Sequence, residues 1–294
     1  MRSSPPSRRS FLAAAGGLLV AAACGGSRET SGAREGSDDD HHAPIPQGEG
    51  LSALLLATDV YASPAPQRFI FALAEGGDYA SGPPATIAFS PRGGTLGDPI
   101  GTELHTAGLP EGRGIYAVEA TFPEPGVWIG RVEADGDRAE LAFEVAGQPT
   151  APVPGRPAPR APSPTVADPM GVDPLCTRDP DCSLHEASLD ALVGAGKPVA
   201  ALFATPARCQ SQYCGPVLDE LLTLVDRYRD QIAFVHVEIF RADTGTDIVS
   251  TVEAWSLATE PWLFGVDATG TVVSRLDGAF GGDEMERLLD SLAG

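Results

Sequence analysis

A chain of 294 residues with 43% hydrophobic side chains has room for two globular bodies of roughly 100 to 150 residues each, beside targeting and linking segments. The formal net charge is −20, acidic residues are spread along the whole length, and the runs of one sign, such as Asp38-Asp39-Asp40, are short. Without clustered Lys and Arg to meet phosphates, a nucleic-acid partner is excluded.

The N-terminus reads as an address. Ser7-Arg8-Arg9-Ser10-Phe11-Leu12 leads into an Ala/Gly/Leu/Val run that ends at Ala23, the basic, then apolar, then small-residue layout of a signal peptide. The paired arginines before Phe-Leu resemble the twin-arginine export signal. Phe11 to Ala23 is too short for a spanning helix, which needs about 20 residues. Ala21-Ala22-Ala23-Cys24-Gly25 resembles a lipobox, with Ala21 where Leu is commonest. That resemblance implies acylation of Cys24 as the mature N-terminus, and a membrane anchor of about 0.8 kcal/mol per buried methylene; simple cleavage near Ala23 is the other reading. The expected location is the extracytoplasmic face of the cell membrane, lipid-anchored. Residues 25–49, rich in Gly, Ser, Asp and Glu, read as a flexible tether, and Asp38-Asp39-Asp40-His41-His42 as a solvated charge run.

From residue 50 to 147, short strand patterns alternate with Gly and Pro: Phe69–Leu73, Thr86–Phe89, Gly114–Val118, Val127–Val132 and Leu141–Val145. Such spacing predicts an antiparallel sandwich. The stretch Tyr116 to Val132, with Pro123-Glu124-Pro125-Gly126 before a Trp-bearing strand, resembles the late hairpin of exported immunoglobulin-like domains. This body has no cysteine, and its one histidine, His105, reads as a surface residue of a Gly-rich segment; a binding or spacing module with an unknown partner is expected. Between 148 and 170 proline recurs every two to five residues, from Pro149 to Pro169, which predicts an extended, semi-rigid spacer between independently folding bodies.

Residues 171–294 form the C-terminal body. Cys176 and Cys182 flank Asp179-Pro180-Asp181, a turn sequence that lets the two thiols meet. A structural disulfide is the expected outcome. His185 follows Cys182 by three, a spacing compatible with a metal or a thiol–imidazole pair, but the first turn of a helix is the commoner explanation of such a histidine. Lys197–Phe203 has the unbroken apolar pattern of a strand buried on both faces. Val217–Asp226 has helical periodicity, Ile232–Val237 reads as a second buried strand, and Asp247–Trp255 as a helix. Trp262–Val266 and Thr271–Arg275 make a hairpin across Asp267-Ala268-Thr269-Gly270, and Asp283–Leu292 closes as a helix.

This order of strands and helices, from about residue 184 onward, resembles the thioredoxin superfamily. Phe203-Ala204-Thr205-Pro206-Ala207-Arg208-Cys209 matches the first strand running into the redox loop, Pro216–Leu221 the helix beyond it, Glu260-Pro261-Trp262 the cis-proline turn facing the redox cysteines, and Gly278 also fits. The fold class implied is an α/β thioredoxin-like domain preceded by an all-β immunoglobulin-like sandwich. Four residues separate Cys209 from Cys214 where the family has two, Arg208 replaces the usual tryptophan, and the buried acid of the first strand is missing. A second alignment puts Cys214-Gly215-Pro216-Val217 on the Cys-Gly-Pro-Cys signature, but it needs about five extra residues before the cysteine.

Residues five apart on a continuous helix point about 140° away from each other and cannot bond. A Cys209–Cys214 bond therefore needs Cys209 ahead of the helix, and Pro216, tolerated only in a first turn, marks a start nearby. The resemblance implies Cys209 as nucleophile, Cys214 as resolving thiol and Pro261 shaping the groove of a membrane-tethered thiol–disulfide oxidoreductase whose partners are protein thiols or disulfides. A permanent Cys209–Cys214 disulfide in a non-enzymatic binding or assembly lipoprotein is the alternative. Copper handling of the Sco type is a third reading, placed behind the others because that family supplies its histidine ligand near the position of Pro261, where this chain has none, and Val235-His236-Val237-Glu238 lies in a strand. No cofactor and no metal ligand is assigned.

Overall fold

In the computed structural model the described residues are 50–294 except 77, 81, 210–212 and 243–245. The export signal, Cys24 and the Asp38–His42 run lie outside them. Among the described residues no helix is long and apolar enough to cross a membrane.

The first body is built by alternation. In β9 (Asp137–Val145) Ala139, Leu141, Phe143 and Val145 point inward, while Arg138, Glu140 and Glu144 face solvent. β9 pairs with β8 (Gly126–Ala134) across Asp135-Gly136, both at positive φ, the backbone a two-residue hairpin turn demands and glycine adopts most readily. One sheet runs β5 (Ile100–Gly101), β4 (Ala85–Pro91), β8, β9. The other runs β1 (Leu51–Leu55), β2 (Ser63–Glu75), β7 (Ile115–Phe122), β6 (Glu103–His105), with β3 (Asp78–Ala80) also on β2. Phe69 of β2, Phe89 of β4, Phe122 of β7 and Phe143 of β9 fill the space between, with Phe69 and Phe143 at 4.8 Å between ring centres.

The second body comprises α1 (Leu189–Leu192), β10 (Val199–Phe203), α2 (Cys214–Tyr228), β11 (Ala233–Val237), α3 (Ser250–Ala254), β12 (Trp262–Val266), β13 (Val272–Asp277) and α4 (Gly282–Ala293). Its sheet order is β11-β10-β12-β13, with β10 parallel to β11 and antiparallel to β12. From β10 onward this is the order that the resemblance implies. β10 is buried throughout, and its two faces feed two cores: Ala200 and Leu202 pack with Leu218, Leu221, Met285 and Leu288 of α2 and α4, whereas Val199, Ala201 and Phe203 pack with Trp255, Trp262 and Phe264. A strand covered on both sides has no polar face to show, which explains its continuous apolar run.

Two sequence expectations are corrected. The segment 148–170 is not a spacer held off from both bodies: Gly155 and Ala158 donate backbone hydrogen bonds to Val272 and Gly270, Val272 donates to Arg156, and Ala151 and Ala158 are buried in the second body's core. Proline removes a donor but leaves its neighbours' amides, so an extended segment can lie along a sheet edge. His105 is not a surface residue. It is 3% exposed on β6, with Nδ1 2.7 Å from the Asp283 carboxylate at the start of α4. Both bodies belong to one compact unit. Arg68 of β2 reaches Glu284 through both carboxylate oxygens, at 2.7 and 2.9 Å, and Arg275 of β13 reaches Asp59 at 2.8 Å. Gly278, at positive φ, lies so close to the Leu56 carbonyl that a Cβ there would sit 2.5 Å from the oxygen.

Candidate redox site

β10 ends at Phe203, and the chain passes through Ala204 and Thr205, both without exposure, before rising to Cys209. Cys214 is the first residue of α2, so Cys209 stands ahead of the helix and Pro216 occupies its first turn. The Cys214 amide donates to Cys209 Sγ at 3.3 Å. This places the Cys209 sulfur at the positive end of a 15-residue helix, where a thiolate is favoured. Cys209 is partly exposed and Cys214 fully buried. Burial pushes the Cys214 thiol well above its ordinary value, reinforced by its hydrogen bond with Cys209 and by the Cys209 charge; a weaker opposite pull comes from the Thr205 backbone. Glu260, whose charge also reaches Cys214, is an acid that sequence reasoning missed, because it precedes the Pro261 turn instead of lying in the first strand.

The Glu260–Pro261 peptide is cis. Thr259 and Glu260 line a cleft of about 270 Å³ with Tyr213, Gly278 and Ala279 on one side and Leu55, Leu56 and Thr58 of the first body on the other. Tyr213, beside Cys214, is overhung by Arg113 of the first body, whose guanidinium lies 6.0 Å from the Tyr213 ring and 4.7 Å from that of Tyr79. Burial pushes the Tyr213 phenol up to about 12, with Arg113 pulling the other way. The sandwich is thus one wall of this cleft, which meets the cysteines only through Tyr213, the chain neighbour of Cys214. A larger cleft, about 730 Å³, runs between β6–β7 and β13–α4 past the Arg68–Glu284 pair, with no cysteine in its lining.

No S–S bond joins any of the four described cysteines in the structure, neither Cys176 with Cys182 nor Cys209 with Cys214. Cys182 donates its amide to Cys176 Sγ at 3.4 Å, and both sulfurs face His236 of β11, with Nδ1 at 3.8 Å from Cys176 and 3.4 Å from Cys182. His185 is not in the first turn of a helix, since α1 begins at Leu189; its Nε2 is 3.2 Å from the same His236 nitrogen. The two thiols titrate as a pair: the hydrogen bond from Cys182 holds Cys176 low against its burial, and that bond together with burial pushes Cys182 up. Thr177 joins this loop to the loop that precedes Cys209. Its amide and hydroxyl both donate to Glu238, and its Oγ1 accepts the Ala207 amide at 3.2 Å.

No protein-family model and no curated protein matches the chain. Among solved structures it is similar to a putative thiol:disulfide interchange protein DsbE from Chlorobium tepidum, at 16% identity and a TM-score of 0.34, over 49% of this chain and 100% of that one. A thioredoxin-family thiol:disulfide interchange protein from Chlorobium tepidum TLS matches at 16% identity and a TM-score of 0.34, over 48% of this chain and 98% of the other. The M1 domain from titin matches at 11% identity and a TM-score of 0.20, over 33% of this chain and 94% of that domain.

Proposed function

We propose that the chain is a thiol–disulfide oxidoreductase with Cys209 as attacking thiol and Cys214 as resolving thiol, exported and held at the extracytoplasmic membrane face by a lipid on Cys24. The observation that carries the reading is the donation of the first α2 amide to Cys209 Sγ beside a fully buried Cys214. The partly exposed sulfur is the one whose thiolate is stabilised, and the hidden one keeps its proton until a mixed disulfide forms. The asymmetry favours Cys209 over Cys214 as the family's first cysteine.

In the reducing direction the Cys209 thiolate attacks one sulfur of a substrate disulfide, and the departing substrate thiolate takes up a proton. Cys214 then loses its proton and attacks the Cys209 sulfur, releasing the second substrate thiol and leaving a Cys209–Cys214 disulfide. Two electrons have passed to the substrate, and the reverse sequence oxidises a dithiol. A protein segment carrying the disulfide is to lie in the cleft beside Pro261, between the cis-proline turn and Leu55–Thr58. Insulin reduction by the purified chain tests this. Cys209→Ser is expected to abolish turnover, and Cys214→Ser to accumulate a mixed disulfide at Cys209 that mass spectrometry detects. Turnover unaffected by both substitutions would sink the reading.

A further inference from the structure

Cys176, Cys182, His185 and His236 bring their donor atoms within 4.8 Å of one another, and we infer that they form a zinc site, separate from Cys209 and Cys214. A tetrahedral zinc with bonds of about 2.0 to 2.3 Å sets its donors about 3.3 to 3.8 Å apart. The distances radiating from His236 Nδ1 are 3.2 Å to His185 Nε2, 3.4 Å to Cys182 Sγ and 3.8 Å to Cys176 Sγ. Binding requires only small closure of the remaining edges.

The orientation of His236 follows from its other nitrogen. Nε2 lies 3.1 Å from the Ala204 carbonyl oxygen, which can only accept, so Nε2 carries the proton and Nδ1 turns its lone pair to the cluster. A backbone carbonyl behind a ligating imidazole is the usual second support of such a ligand. His185 is 3% exposed, and its Nδ1 has no hydrogen-bond partner among the described residues. What holds that ring is therefore on its Nε2 side, toward the cluster.

Charge selects the ion. Binding holds both sulfurs as thiolates, and two thiolates with Zn²⁺ form a neutral unit, as a pocket buried at Cys176, His185 and His236 requires. Cu⁺ on the same donors would leave one negative charge inside. Four protein ligands fill a tetrahedron, so the site is structural. Its place in the fold gives it work. Residues 176–188 contain no helix or strand, yet they lie against the outer strand β11, joined to it by the amide of His236 donating to the Leu184 carbonyl. A metal there staples the coil to the sheet edge, and through Thr177 braces the loop that ends at Cys209.

The test uses the full chain, reduced, stripped with chelator and then offered zinc alone. Retention of one zinc per chain after gel filtration is expected, and Co²⁺ in its place should give the intense visible bands of a tetrahedral site with sulfur ligands. Cys182→Ser and His236→Gln, each checked for native circular dichroism, are to lose the metal, whereas Cys209→Ser and Cys214→Ser are to keep it. That contrast separates this site from the redox reading. Absence of stoichiometric zinc when thiol titration shows all thiols reduced overturns the inference. So does metal that follows Cys209 and Cys214, stoichiometric Cu⁺ in a chain that refuses zinc, or a Cys176–Cys182 disulfide in protein isolated without reductant.

Discussion

Cys209 and Cys214 differ chiefly in exposure, and that difference governs their reactivity. At neutral pH iodoacetamide should modify Cys209 faster than Cys214 by roughly tenfold or more, because the attacking species is the thiolate and only Cys209 has both access and a stabilising amide. Peptide mass spectrometry of a time course checks the order, and equal rates would contradict it. The raised pKa of Cys214 also carries a sign for stability. A folded-state pKa above the unfolded one gives stability that is fully present below the ordinary value of 9.0 and is lost as pH rises through the folded value. The reduced chain should therefore weaken above about pH 9 in urea titrations, and Cys214→Ala should flatten that part of the profile. An unchanged slope in the variant would show that Cys214 is not the group responsible.

Among the elements, the loop of residues 176–185 is tied to its neighbours through Thr177. Thr177 Oγ1 serves Glu238 and Ala207 together. Thr177→Val keeps the shape but takes the hydroxyl donor from the buried Glu238 carboxylate, which costs about 1 to 3 kcal/mol, and leaves the exposed Ala207 amide to water. A lower melting temperature and faster hydrogen exchange at Ala207 are expected, while unchanged exchange there would show the two loops to be uncoupled. Legibility in the sequence followed the range of the interactions. The β12–β13 hairpin, β10 and the start of α2 near Pro216 could be read because turn chemistry and apolar runs are local. β3, β5 and β6 escaped because at two or three residues each they are too short for a strand pattern to show. His105 was misread because its partner, Asp283, lies 178 residues away. For the cluster, local spacing flagged His185 beside Cys182 and the loop let Cys176 meet Cys182, but the residue that gathers them is His236, 51 residues beyond His185. Only the parallel pairing of β10 and β11 brings it there.

For the whole molecule, the structure turns a two-body, spacer-linked reading into one in which each body completes the other. Glu284 is buried on α4, and although burial pushes its carboxyl up, Arg68, then His105 and the Gly281 amide, hold it below its ordinary value of 4.5. Removing one member of a buried pair costs about 3 to 5 kcal/mol, mostly through the charge left behind. Arg68→Met is thus expected to destabilise the full chain by about that amount at pH 7, and also to expose Leu56 and Gly278 at the seam. The pH dependence has a fixed direction. A depressed carboxyl gives stability that is present above its unfolded pKa and lost as pH falls through the folded one, so the gap between wild type and Arg68→Met should narrow below about pH 4.5. With the proline-rich segment hydrogen-bonded to β13 and Arg275 held by Asp59, wild-type unfolding should also be a single transition, with tryptophan fluorescence from Trp128 of the sandwich and from Trp255 and Trp262 of the second body changing together. Arg68→Met, with the seam opened, should separate the two signals. Two transitions in the wild type, or a gap that stays constant into acid, would return the bodies to independence and leave the sandwich wall of the Tyr213 cleft without its support.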